Sequence, residues 1–221
     1  YKRQMLYKAY SYQKELVTSY HSFRFSINLL SRQMGKTTCA AGYLLWYAMF
    51  VPDSTILIAA HKYQGAQEIM QRIRYAYELC PDHIRAGAVN YNRGSIEFEN
   101  GSRIVAQATT ENTGRGMSIT LLYCDEFAFV RPSIAREFWT SISPTLATGG
   151  KAIITSTPSS DEDQFWLLWT EANNRTDDYG NEQPLGKNGF RAFQSLWKEH
   201  PDRDEEWAKE ERARIGDERF R

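Results

Sequence analysis

The chain has 221 residues, of which 42% are hydrophobic and 24% charged, and its 27 Lys+Arg balance its 27 Asp+Glu. That length accommodates one sizeable α/β core and a small appendage, and no apolar run approaches the roughly 20 residues that span a bilayer. Zero net charge argues against a broad nucleic-acid-binding face, so any DNA contact would come from a local patch or from several subunits together.

Residues 5–20 read as a helix of mixed aromatic and polar positions. Near its start, Tyr1-Lys2-Arg3 and Lys8 interleave with Tyr7, Tyr10 and Tyr12, which makes either a basic, aromatic patch or, as we prefer, a solvated helix face. The apolar run 25–30 predicts a strand, and 36–50 predicts the helix that follows it. Between them lies Ser31-Arg32-Gln33-Met34-Gly35-Lys36-Thr37-Thr38. Strand, glycine loop and helix in that order suit a phosphate-binding loop. Gly35 lets the backbone approach phosphates, and amides at the helix start point at them. Lys36 reaches the β- and γ-phosphate oxygens, and the Thr37 hydroxyl is placed to ligate Mg²⁺. The loop is irregular, because strict G-x-x-x-x-G-K-T spacing puts the first glycine position on Leu30.

Pro52-Asp53 marks a turn, and the run 55–60 suits a buried parallel strand. Residues 64–79 place Ala66, Ile69, Ile73, Ala76 and Leu79 at helical spacing, with Pro81 as the stop. The stretch 95–107 predicts a β-hairpin with a tight primed turn at Asn100-Gly101. Then Thr120-Leu121-Leu122-Tyr123-Cys124 runs into Asp125-Glu126. A buried strand ending in an acidic pair suits hydrolytic chemistry: Asp125 holds Mg²⁺ through water, and Glu126 orients or deprotonates the attacking water. The two motifs together point to ATP hydrolysis. A helix is expected over 132–142, a strand over 151–155 and a helix over 161–172. In that last helix Phe165, Trp166, Leu168 and Trp169 read as core packing, and Asp161-Glu162-Asp163 sits at its start, where carboxylates favour the dipole. A polar loop (173–188), a strand (190–197) and a charged helix (about 203–214) complete the chain.

This order predicts an α/β fold: a P-loop NTPase core with a mainly parallel central sheet flanked by helices (1–173), plus a small C-terminal lid-like subdomain (174–221). Three cysteines, Cys39, Cys80 and Cys124, cannot all pair and lack metal-ligand spacing. Cys39 and Cys124 read as buried thiols in a reducing cytoplasm. No signal peptide is visible, and a first residue of Tyr1 suggests that upstream residues were removed.

The loop from Ser31 to Thr38, Tyr123-Cys124-Asp125-Glu126-Phe127-Ala128-Phe129 and Ile154-Thr155-Ser156-Thr157-Pro158, in that order, resemble the ATPase domain of the large terminase subunit of tailed bacteriophages. The likeness covers nearly the whole chain, and a short loop carrying S-R-Q without a first glycine is itself family-like. The resemblance implies that ATP with Mg²⁺ is bound by Ser31, Arg32, Gln33, Met34, Gly35, Lys36, Thr37 and Thr38, with Asp125 and Thr37 on the metal. Tyr12-Gln13 resembles the adenine-recognising Q motif, and an amide can pair with both donor and acceptor of the adenine edge. Thr155-Ser156-Thr157 resembles the coupling motif that senses loss of the γ-phosphate.

An arginine finger contributes roughly 10³–10⁵ in rate to phosphoryl transfer. Arg32 resembles a family position assigned to the active site in cis. Arg115, between Gly114 and Gly116, suits a finger reaching a neighbouring subunit, with a DNA-phosphate contact or a flexible loop as rival readings. The family further implies double-stranded DNA, a ring of subunits at the portal protein, and the small terminase subunit as partners, in the host-cell cytoplasm. The family's nuclease domain is expected to be absent, so the chain should hydrolyse ATP without cutting DNA, as a piece of a longer protein. A helicase-like translocase and a nucleotide-binding assembly module with little turnover are the alternatives. Helicases share these motifs, but most carry two motor cores, and this chain has room for one.

Overall fold

The computed structural model describes residues 7–159 and 163–220. Eight strands form one sheet in the order β3-β4-β5-β2-β6-β7-β1-β8. Six of them, from β5 to β8 in that order, run parallel: β5 (Arg103–Ala108), β2 (Thr55–Ala60), β6 (Leu121–Asp125), β7 (Lys151–Ser156), β1 (Phe25–Leu30) and β8 (Arg191–Ser195). At one edge β3 (Ala88–Tyr91) and β4 (Ser95–Phe98) are antiparallel. The central strands are apolar on both faces because helices cover both. On one face α1 (Ser11–Ser22), α2 (Lys36–Phe50) and α3 (Tyr63–Leu79) pack through Leu16, Tyr20, Leu44, Ile69 and Ile73. On the other, α4 (Pro132–Leu146) and α5 (Gln164–Asn173) pack through Phe138, Ile142, Phe165 and Trp169. A short 3₁₀ turn, α6 (Glu205–Ile215) and α7 (Asp217–Phe220) follow β8.

β1, α2 and β2 match their expected spans. The first helix starts later than expected, at Ser11: Tyr10 is extended, and its amide is taken by the Gln13 side chain at 3.0 Å. Tyr12 is buried and Tyr10 packs on Tyr12 and His200, so these two rings do not form the solvated helix face expected here, whereas Tyr7 is exposed. Tyr1-Lys2-Arg3, like Asp161-Glu162, lies outside the described residues.

The hairpin forms, but its turn is not primed. Gly101 takes φ +82°, Asn100 does not take a positive φ, and Gly101 N donates to the Phe98 carbonyl at 3.1 Å. The Asn100 side chain instead caps the end of α2, donating to the carbonyls of Ala48 and Met49. Strand β3 gave no sequence signal because all four of its residues are exposed. Phe165, Leu168 and Trp169 enter the core, whereas Trp166 is 42% exposed. Strand β8, expected in the small subdomain, is an edge strand of the core sheet beside β1. Cys39 and Cys124 are buried, and burial raises both thiol pKa values. Among the described residues no helix is long and apolar enough to cross a membrane.

Candidate active site

Parallel order brings the carboxyl ends of β6, β7 and β1 side by side, where the sequence motifs leave the sheet. Residues 31–35 form the loop between β1 and α2. Gly35 caps α2 with φ +75°, and a Cβ there would stand 2.5 Å from Gln13 Nε2, so glycine is required on both counts. Ser31 N donates to the Ser195 carbonyl (3.1 Å), tying the loop's first residue to β8. A cavity of about 410 Å³ opens above the loop, lined by Arg32 to Thr38 together with Arg72, Glu126, Phe129 and Thr157.

Three adjacent acceptor–donor systems organise this cavity. Lys36 is buried, and its ammonium pairs with Glu126 Oε1. Glu126 adopts φ +50° at the end of β6, and its Oε2 accepts from the Thr157 amide (3.1 Å), Thr157 Oγ1 (3.1 Å) and Ser156 Oγ (3.4 Å). Burial pushes the Glu126 carboxyl up, but Lys36 and the Thr157 donors outweigh it and leave the pKa below the ordinary 4.5. Asp125 Oδ1 accepts from Tyr123 OH (3.1 Å) and Thr155 Oγ1 (3.2 Å). Here burial dominates: it raises the Asp125 pKa above 3.8, with Glu126 adding to the rise and Lys36 opposing it. A buried carboxylate that its neighbours do not neutralise suits a cation ligand. Among the described residues no cluster of three or more His, Cys, Asp or Glu could hold a metal. An ion here would therefore need Thr37, Asp125 and the ligand's own oxygens.

A family model for the large subunit of terminase, T4likevirus-type, N-terminal region, matches residues 27–220. The chain belongs to this family. A mutant ATPase domain of the Thermus phage P74-26 large terminase superposes with a TM-score of 0.74 at 22% identity, covering 97% of this chain and 92% of that one. The HK97 bacteriophage large terminase gives a TM-score of 0.71 at 17% identity, over 91% of this chain and 42% of that one. The large terminase of a thermophilic bacteriophage, in complex with ADP, gives 0.66 at 11% identity, over 93% and 50%. At such identities these likenesses show the fold: a terminase ATPase-domain α/β core with a mostly parallel sheet. Family membership supports an ATPase role in DNA packaging and does not favour a helicase.

Within this terminase chain the structure gathers most of the residues singled out from sequence. Arg32, Gln33, Met34, Gly35, Lys36, Thr37 and Thr38 line one cavity with Glu126 and Thr157. Thr155 touches Asp125 and Ser156 touches Glu126, so the residues expected to act in coupling contact both acids directly. Gln13 is buried beneath the loop. Its Nε2 donates to the Met34 carbonyl (3.1 Å), and its Oε1 accepts from Tyr10 N (3.0 Å) and Tyr7 OH (2.9 Å). Arg115 is not in this cavity: it is exposed on the helix-free crossover from β5 to β6, bonded to Asn112 Oδ1 at 3.0 Å. Sequence reasoning passed over Arg72 and Phe129, which line the cavity, and Arg203, which touches the loop's backbone. Phe129 closes the quoted 123–129 motif but was given no role there, and Arg72 and Arg203 lie in no motif. Arg72 sits on α3, and Arg203 in a charged stretch that read only as a helix start.

Proposed function

We propose that this terminase region binds ATP in the cavity above residues 31–38 and hydrolyses it to drive double-stranded DNA into a procapsid. The carrying observation is the convergence of Lys36, Glu126, Asp125 and Thr157 at the carboxyl ends of β6 and β7, over a loop that opens α2. Loop amides and Lys36 bind the β- and γ-phosphates. A γ-phosphate draws Lys36 away from Glu126 and frees Oε1, which then takes the proton of a water. That water attacks the γ-phosphorus, the bridging P–O bond breaks, its electron pair leaves with ADP, and inorganic phosphate is formed. Thr37 and Asp125 would hold Mg²⁺, which would supply charge neutralisation at the phosphate oxygens. Thr157, bonded to Glu126 through both its amide and its hydroxyl, passes the displacement of that carboxylate to β7 and so acts in coupling together with Thr155 and Ser156.

Arg32 serves the γ-phosphate in cis, and Arg115 reaches the site of a neighbouring subunit in a ring at the portal protein. Gln13 serves the adenine side of the site. Of the segment after residue 173, the part beyond β8 contributes the lid, and the small terminase subunit joins the assembly in the host-cell cytoplasm. Nuclease chemistry is not assigned to these residues.

Specific ATPase activity measured across a wide range of protein concentration tests this reading. Activity should require Mg²⁺, vanish in K36A, and rise per molecule with concentration in wild type but not in R115A. Absence of Mg²⁺-dependent hydrolysis at every concentration would overturn the enzymatic reading. A flat concentration profile would return the finger role to Arg32 alone.

A further inference from the structure

The phosphate loop is gripped on its carbonyl side by groups from both ends of the chain. Arg203 Nη1 donates to the Arg32 carbonyl (3.1 Å), and Nη2 donates to the Gln33 carbonyl (3.2 Å). The next carbonyl, that of Met34, accepts from Gln13 Nε2 and Tyr12 OH, each at 3.1 Å. The C=O and N–H of a trans peptide point in opposite directions, and no peptide bond here is cis among the described residues. Holding the carbonyls of Arg32, Gln33 and Met34 outward therefore turns the amides of Gln33, Met34 and Gly35 inward. Successive inward amides form an anion-binding nest.

Gln33 has φ +59°, a left-handed conformation that a non-glycine residue keeps only when its surroundings impose it. The carbonyls that Arg203 holds belong to the two peptide planes flanking that residue. Arg203 is itself fixed: its guanidinium lies 4.7 Å from the Trp207 ring centroid, and its amide donates to the His200 carbonyl at 3.1 Å. Trp207 N is in turn bonded to Asp204, the N-cap of α6.

We propose that Arg203 is a positioning residue for phosphate binding, which shapes the loop through its carbonyls and links docking of the segment from 196 onward to nucleotide affinity. The inference rests on the cavity being the nucleotide site. Linkage makes the effect reciprocal, so bound nucleotide holds the segment down by the same factor by which the docked segment tightens nucleotide. A lysine does not replace Arg203, because one ammonium lacks the planar fork that spans two carbonyls.

The test is calorimetric titration of MgADP into wild type, R203A and R203K, with KM and kcat for ATP and trypsin protection of the C-terminal segment. Loss of two charge-assisted bonds is expected to weaken MgADP binding roughly tenfold in R203A, with little rescue in R203K. KM should rise more than kcat falls, and MgADP should protect the segment in wild type but not in R203A. Equal MgADP affinity in wild type and R203A, or a drop in thermal stability alone, overturns the proposal. Failure of wild type to bind MgADP would instead sink the nucleotide-site reading. Should R203A not fold, W207A removes the ring that holds the guanidinium. Weaker MgADP binding there supports the link, and unchanged binding overturns it.

Discussion

Glu126→Gln separates the two roles that Glu126 plays toward Lys36 and toward water, because its effects on binding and on turnover have opposite signs. The Lys36 ammonium is tied to Glu126 Oε1, with side-chain exposures of 10% and 33%. At an effective dielectric of 20 such a contact has a gross attraction of about 4 kcal/mol. Partial exposure of the carboxylate, and the entropy of holding both chains, reduce that to about 1 kcal/mol net. A phosphate must displace this tether to recruit Lys36, so its loss should tighten ATP binding about fivefold. Turnover should fall by roughly 10²–10⁴, since an amide does not accept the proton of water. The assay is equilibrium binding of MgATP alongside single-turnover hydrolysis in E126Q. Because Glu126 is held below 4.5, the tether is intact at neutral pH. The affinity difference from wild type should close only as pH falls through that depressed pKa. Weaker ATP binding in E126Q, or hydrolysis close to the wild-type rate, would refute the reasoning.

Two further changes probe burial and backbone geometry. Asp125 has a folded-state pKa above its ordinary 3.8, so the native state binds the extra proton and stability declines as pH rises through that window. D125N should therefore raise the melting temperature of the ligand-free protein at neutral pH by roughly 2–4 °C, with the gain shrinking toward acid, while Mg²⁺-dependent hydrolysis is lost; a lower melting temperature contradicts this. Gly114 has φ +72°, and a Cβ there would lie 2.5 Å from Ile142 Cδ1 and 2.8 Å from Leu57 Cδ2. G114A should cost about 2–3 kcal/mol of stability, read by urea denaturation, and an unchanged midpoint would mean the crossover runs elsewhere.

The local signals that sequence carries well are those fixed within a few residues. The glycine before Lys36, the apolar runs at 55–60 and 120–124, and the acids that follow the second run each impose a strand, a loop or a helix start on their own neighbourhood. That is why β1, α2, β2 and the Asp125-Glu126 strand end fell where expected, and why the alternation of elements implied a parallel sheet. Contacts between segments distant along the chain had no such signature. Whether the strand at 191–195 joins the core or a separate unit depends on hydrogen bonding to β1, some 165 residues earlier in register (Ser26 with Arg191), which no local pattern encodes. The exposed strand β3 is defined solely by its pairing with β4. Gln13 and Arg203 are polar side chains in polar stretches, and their place on the carbonyls of Met34, Arg32 and Gln33 exists only once α1 and the C-terminal segment pack around the loop. The sequence by itself determined which residues we propose for phosphate binding, because that chemistry needs particular groups at short spacing. Tertiary structure alone decided how the loop carrying them is held, because its carbonyls are satisfied by donors from opposite ends of the chain.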